Sequence, residues 1–257
     1  MDIPRDFINR ELRDIDRAHQ SVLGRYRSAI ARLASGSATV PTAARQELLS
    51  GGLSRRQLLT LGSATVVTSA VFGACASNGA SVATATSTTT TLPGSQMDVT
   101  ILRTASSIEA LAVAVYQKAI DSGLIKTQPL QTAAQLFQTQ HSQHGDLFQR
   151  ATIDAGGKPF TDPNPVLMQQ LVAPRLAALK VESDVIGLAY DLEKLAADTY
   201  QNDVGSFANK SLNATIMQVG GIEARHVAVL APAINKPVPP DGAFQAAKTA
   251  VAAGTGV

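Results

Sequence analysis

The sequence predicts an all-α protein whose C-terminal half is an antiparallel four-helix bundle built from a duplicated helix pair. Apolar residues recur at steps of three and four, which is the spacing of one buried helix face. Short stretches rich in Gly, Pro, Asp and Asn interrupt these stripes, and a shorter helical piece at about 165–179 begins at Pro165. The four long stripes lie at about 98–122, 129–155, 182–206 and 211–234.

Composition limits the class of protein. The 257 residues are 45% hydrophobic and include a single Cys, which excludes a disulfide framework and a Cys-based zinc site within the chain. Residues 1–56 carry ten Lys/Arg against six Asp/Glu, whereas the chain from Cys75 onward carries twelve against fourteen. The C-terminal part is thus slightly acidic and poor in aromatic residues, so we expect no nucleic-acid partner.

The N-terminal region, residues 1–52, is predicted to be an amphipathic helical extension. Its apolar stripe is flanked by alternating charges, as in a coiled-coil partner segment. The stripe consists of Ile8, Leu12, Ile15, His19, Val22, Tyr26, Ala29 and Leu33. His19 has no second histidine or carboxylate motif beside it in the sequence, so we expect it to lie outside the bundle and to take no part in a site.

Residues 53–75 resemble a twin-arginine export signal, because Arg55 and Arg56 precede an uncharged, moderately apolar run. Cys75 follows Phe-Gly-Ala, which resembles a lipoprotein processing box and predicts a lipidated Cys75. Ordinary cleavage after Ala76 and an uncleaved membrane anchor are the alternatives. We therefore expect the twin-arginine translocase and the membrane as partners. The expected location is the outer face of the cytoplasmic membrane or the cell envelope.

The segment that follows, residues 76–97, is rich in Ser, Thr and Ala and almost lacks large apolar residues. Such a segment buries too little surface to offset its ordering entropy, so we expect a disordered tether. The bundle is predicted to span 98–237, and residues 238–257 to form a C-terminal tail.

Two of the helix stripes carry polar residues where apolar ones are expected. In the second helix His141 and His144 fall on the buried face, and in the fourth Glu223 and His226 fall at matching steps. The second stripe is Leu130, Ala134, Phe137, His141, His144, Phe148 and Ala151. The fourth stripe is Leu212, Ile216, Val219, Glu223, His226, Leu230 and Ala233.

The first and third helices also match each other. Glu109 is followed two turns later by Tyr116, and Glu193 is followed two turns later by Tyr200. Each such helix is followed at a similar distance by a helix that carries a buried histidine, which indicates a duplicated helix pair.

Antiparallel packing is expected to bring these polar residues to one level of the bundle. A buried polar group without a partner costs roughly 1–3 kcal/mol, and a metal ion would satisfy all of them together. A metal-free network of hydrogen bonds among the same residues is the alternative. The predicted metal ligands are Glu109, His141, His144, Glu193, Glu223 and His226.

On these residues, the chain from about 98 to 237 resembles the ferritin-like domain family, in the branch of exported and desiccation-related bacterial proteins. In the di-iron members, two helices each give a Glu and two each give a Glu-x-x-His. The resemblance implies these roles for Glu109, for Glu193, and for Glu223 with His226. His141 departs from that pattern because it stands where those proteins have Glu.

With His141 in this position, only three carboxylates remain among the predicted ligands. The ferroxidase activity of di-iron members is therefore not expected of this chain. The expected function is an exported protein that binds one or two ions of Fe, Zn, Mn or Cu, with redox activity as an open question. A non-catalytic envelope scaffold is the alternative. The sequence shows no Gly-rich phosphate loop and no ordered Ser/His/Asp set, so hydrolase and nucleotide-binding functions lack support.

Overall fold

The computed structural model describes residues 5–34, 93–237 and 249–257, and within these ranges all regular structure is helical. The predicted all-α fold is confirmed. The helices are α1 (Arg5–Ala34), α2 (Pro93–Asp121), α3 (Gln128–Asp154), α4 (Pro165–Leu167), α5 (Ala173–Ala178), α6 (Glu182–Asp203) and α7 (Lys210–Leu230). A π-helical turn, Met168–Val172, joins α4 to α5, and a 3-10 turn, Ala231–Ile234, follows α7.

The bundle consists of the two helix pairs that the sequence pattern predicts. Helix α2 packs against α3, α6 packs against α7, and contacts between α2 and α6 join the pairs. The inward positions are fully buried, as Phe137 and Phe148 of α3 and Val219 of α7 illustrate. By length and composition Ser95–Asp121 could cross a membrane, but 67% of its apolar window is buried, which identifies it as a core helix of the bundle.

Local sequence fixes where the later helices begin and how closely they pack. The side chains of Asn164 and Asn209 accept hydrogen bonds from the first turns of α4 and α7. Gly220 lies where α7 approaches α6, because a Cβ atom there would be 3.1 Å from Cβ of Tyr200. The absence of a side chain at Gly220 therefore lets the two helices of this pair approach closely.

Two predicted boundaries differ from the structure. Helix α2 begins at Pro93, so residues 93–97 are helical rather than part of the predicted tether. Proline suits the first turn of a helix because its missing N–H would be unpaired there anyway. Helix α6 ends at Asp203, whereas the sequence pattern extends it to about residue 206.

The end of the predicted C-terminal tail packs on the bundle. The backbone N–H of Gly254 donates to Oγ1 of Thr104 at 2.8 Å, and Asn164 Nδ2 donates to the carbonyl of Thr255 at 2.8 Å. Val251 is 7% exposed. Residues 249–257 therefore form part of the folded unit.

Helix α1 also packs on the bundle. Its Ile8, Leu12 and Ile15 are at most 5% exposed and share one apolar cluster with residues of α2, α3, α6 and α7. The apolar stripe of α1 therefore has a partner within the same chain. Its burial is described as far as Gly24.

The predicted export signal lies outside the described residues. Arg55, Arg56 and Cys75 belong to this part of the chain, so export, lipidation and membrane attachment stay predictions.

Candidate metal centre

Six side chains from the four long helices meet in one buried cluster, here called the His/Glu cluster. Each of the six is at most 1% exposed. They are the six predicted from the sequence: Glu109 from α2, His141 and His144 from α3, Glu193 from α6, and Glu223 and His226 from α7. Helical spacing turns each of them inward because each occupies a buried position of its apolar stripe, and the packing of the four helices brings them to one level.

One half of the cluster contains Glu109, His141, His144 and Glu223, which each offer one ligand atom within 4.8 Å of the others. Oε2 of Glu109 lies 2.6 Å from Nδ1 of His141. Oε1 of Glu223 lies 2.8 Å from Nδ1 of His144. Two carboxylates and two imidazoles thus surround a common space.

The other half contains His141, Glu193, Glu223 and His226, again within 4.8 Å. The two oxygens of Glu193 each lie 3.1 Å from a histidine nitrogen, one from Nε2 of His141 and one from Nδ1 of His226. Oε2 of Glu223 lies 2.9 Å from Nδ1 of His226.

The two halves overlap at His141 and Glu223 rather than at Glu109 and Glu193. From the duplication alone, the latter two carboxylates are expected to lie between His144 and His226. The His141 ring instead spans the distance between Glu109 and Glu193, with one nitrogen near each carboxylate. The residue that departs from the di-iron pattern is therefore central to the cluster.

Several histidine nitrogens and glutamate oxygens in the cluster approach one another without forming hydrogen bonds. The His144–Glu223 and His226–Glu223 contacts have ion-pair distances but lack hydrogen-bond alignment, so both Glu223 oxygens remain without a hydrogen-bond partner. Both nitrogens of His144 lack one as well. Buried, unaligned nitrogen and oxygen atoms fit the donor set of a transition-metal ion.

Two buried tyrosines hold the carboxylates. The Tyr116 hydroxyl donates to Oε1 of Glu193, and the Tyr200 hydroxyl donates to Oε1 of Glu109. Each bond crosses between α2 and α6. Burial, and then the neighbouring carboxylates, raise the pKa of both tyrosines well above the usual value of 10.0, so they remain protonated donors that orient the ligands.

Electrostatics favour protonated imidazoles in the cluster when no metal is bound. Burial alone would lower the pKa of His144, but Glu223 and Glu109 outweigh it and raise this pKa to about 9. The pKa values of His141 and His226 are raised for the same kind of reason, with Glu193 as the main source.

Two of the carboxylates, Glu109 and Glu193, show the reverse shift. Burial would raise the pKa of Glu109, but the positive charge of His141 outweighs burial and lowers this pKa to about 2. His141 and His226 likewise hold the pKa of Glu193 well below its usual value. Ion pairs therefore stabilise the metal-free cluster.

The expectation that His19 lies outside the bundle is wrong. His19 is fully buried, and its ring centroid lies 4.8 Å from that of His144. Burial, followed by repulsion from the positive forms of His144 and His226, lowers the pKa of His19 to about 3. Helical periodicity identified the buried face of α1 but not the surface that covers it.

Gln140 is a further cluster residue that the sequence pattern did not single out. Nε2 of His226 donates to Oε1 of Gln140 at 2.8 Å. Gln140 lies one turn before His144 on α3, and this spacing is the only signal that could have identified it.

Comparisons with known proteins agree with this architecture. A family model described as a ferritin-like domain matches residues 97–236, which is more than half of the chain. Searches of curated proteins and of solved structures returned no match. The chain belongs to the ferritin-like domain family.

Proposed function

We propose that the protein binds one or two transition-metal ions in the bundle core, through the six side chains of the His/Glu cluster. The observation that carries this proposal is the overlap of two buried four-residue groups, whose Glu223 and His144 atoms lack hydrogen-bond partners. Burial of such atoms is costly unless they are satisfied by a partner or an ion.

The donor chemistry limits the identity of the ion. Imidazole and carboxylate together suit Fe, Zn, Mn and Cu. Three carboxylates offset three of the four positive charges of two divalent ions, so the cluster favours divalent ions over a ferric pair. A bound Fe, Mn or Cu ion would supply redox chemistry, and a bound Zn ion would supply Lewis acidity.

The residues of the chain have separate roles in this proposal. The three carboxylates and the neutral forms of the three imidazoles bind the metal. Tyr116 and Tyr200 hold Glu193 and Glu109 in position, and the apolar residues above and below exclude water. Because metal replaces protons on the imidazoles, binding releases protons.

Titration of the metal-free full chain with Co²⁺ at pH 8 tests metal binding. We expect a visible absorption spectrum that saturates at one or two equivalents. His226→Ala should remove most of it, because His226 contacts both Glu193 and Glu223. Gln138→Ala is the matched control, since Gln138 is on α3 but donates to Gln117 rather than to the cluster.

The alternative function is a non-catalytic scaffold with a metal-free core. The observation that favours it is that ion pairs stabilise the cluster without metal. If Co²⁺ produces no saturable spectrum in a folded wild-type chain, the scaffold function replaces the metal-binding one. Consumption of dioxygen after addition of Fe²⁺ distinguishes a redox-active centre from a redox-inactive one.

We further propose that the protein is exported by the twin-arginine translocase and held at the outer face of the cytoplasmic membrane. Arg55 and Arg56 followed by an apolar run support export, and the residues before Cys75 support lipid attachment. Export of an already folded bundle suits a cofactor that is loaded in the cytoplasm.

A further inference from the structure

The N-terminal helix brings a fourth histidine to the His/Glu cluster. His19 is 0% exposed, and its ring meets the ring of His144 edge to face at a 75° interplanar angle. Ile15, one turn before His19 on the same face of α1, is 1% exposed and anchors the helix in the bundle's apolar cluster.

Neither ring nitrogen of His19 has a hydrogen-bond partner among the described residues, and neither nitrogen of His144 has one. Nδ1 of His144 has an ion-pair contact with Glu223 at 2.8 Å, so the two adjacent imidazoles leave three ring nitrogens unsatisfied, both of His19 and Nε2 of His144. Each unsatisfied buried group costs about 1–3 kcal/mol, which is a large penalty for a folded domain to carry without compensation.

We propose that His19 is a further metal ligand, supplied by α1 to the half of the cluster that contains Glu109, His141, His144 and Glu223. This inference rests on the proposed metal binding and extends it to a seventh residue. His19 belongs to neither of the two donor groups within 4.8 Å, so its ring would have to turn for one nitrogen to reach an ion bound beside His144, and such an ion would then satisfy both imidazoles. The centre would then have four imidazoles, one from the N-terminal extension and three from the bundle.

The ligand role links metal binding to the docking of α1. Apolar contacts of Ile8, Leu12 and Ile15 hold α1 on the bundle without metal, and the ion adds a bond between α1 and α3. Processing immediately before Cys75 would separate α1 from the bundle, so the precursor and the processed chain would differ by this ligand.

His19→Leu in the full chain tests the ligand role, because leucine keeps the site apolar and filled while removing the imidazole. With Co²⁺ as the probe, we expect affinity to fall by at least about 10-fold. The ligand-field absorption should change, and the ¹⁵N-histidine spectrum of the Co²⁺-loaded chain should lose one imidazole that has the large contact shift of a metal ligand.

Hydrogen exchange of residues 8–23 separates coordination from packing. In the wild-type chain Co²⁺ should slow exchange of α1, and in His19→Leu it should not. Ile15→Ala is the matched control. It should speed exchange in both states because it removes apolar contact, but it should keep the difference that the metal makes.

The outcomes distinguish the two proposals. A folded wild-type chain that binds no Co²⁺ overturns metal binding and the role of His19 together. A wild-type chain that binds Co²⁺, with His19→Leu unchanged in affinity, spectrum and metal-dependent exchange, overturns the role of His19 alone. Weaker binding with a changed spectrum supports the role of His19.

Discussion

The raised pKa of His144 predicts that metal-free and metal-loaded protein respond oppositely to pH between 6.5 and 9. The perturbation is a pH increase across this range, applied to the same chain with a chelator present or with Zn²⁺ present. In the metal-free protein His144 keeps its proton up to about pH 9, whereas in the unfolded chain it loses the proton near 6.5.

The sign follows from linkage. A group whose pKa is raised on folding stabilises the folded state fully below its unfolded pKa, and this stabilisation is lost as pH rises through the folded pKa. The difference between 6.5 and about 9 corresponds to about 3 kcal/mol for His144. His141 and His226 act in the same direction. His19 acts in the opposite direction because its pKa is lowered to about 3, but most of this effect lies below pH 6.5, where the unfolded chain still holds the proton, so it offsets little of the decrease in this range.

Metal reverses the slope. An ion must displace the imidazole protons, so its affinity increases as pH rises, and the stability that it adds increases with that affinity. Protons compete with the metal for the His144 imidazole below about pH 9, whereas they would compete for an unperturbed histidine only below about pH 6.5.

Urea unfolding followed by helical circular dichroism measures both series. We expect the metal-free free energy of unfolding to decrease by about 3 kcal/mol or more from pH 6.5 to 9, and the Zn²⁺-loaded value to increase. In the metal-free protein, His144→Gln should make the decrease in the free energy of unfolding smaller by the contribution of His144. A metal-free stability that stays constant or increases over this range would refute the electrostatic account of the cluster.

Three other predictions concern Tyr200, Asn164 and the proposed export signal. Tyr200→Phe removes the hydrogen bond to Glu109, so we expect the free energy of unfolding in urea to fall by about 1.5–3 kcal/mol and the Co²⁺ stoichiometry to stay unchanged. A reduced Co²⁺ stoichiometry would show that Tyr200 is essential for metal binding. Asn164→Ala removes the cap of α4 and the bonds to Ser107 and Thr255, so it should lower stability by about 1–3 kcal/mol and leave the Co²⁺ spectrum intact. Changing Arg55 and Arg56 to Lys should retain the protein in the cytoplasmic fraction, and unimpaired export would contradict the twin-arginine signal. Cys75→Ala should release the exported domain from the membrane fraction, and an unchanged membrane fraction would contradict lipidation of Cys75.

The sequence predicted the bundle well because helical periodicity specifies which face of each helix is buried. It also brought attention to His141, His144, Glu223 and His226, because polar residues at buried positions break an otherwise apolar stripe. The match between Glu109 and Glu193 then supplied the remaining carboxylates. In the structure these six side chains do lie together, although their role as ligands stays a prediction.

The contacts of α1 could not be predicted in the same way. A stripe such as Ile8, Leu12, Ile15 and His19 shows that one face is buried, but it does not name the partner surface. A coiled-coil partner and the chain's own bundle would give the same pattern. The sharing of His141 and Glu223 between both halves also depends on side-chain rotamers, which residue spacing does not determine.

Anomalous diffraction from crystals of the metal-loaded full chain tests the central claim most directly. The account predicts one or two anomalous peaks inside the His/Glu cluster, about 2.0–2.2 Å from its imidazole nitrogens and carboxylate oxygens. A peak beside His144 should also lie at ligand distance from His19. Crystals that contain the six side chains as described, but show no anomalous peak among them at saturating metal, would contradict the claim that this bundle binds metal.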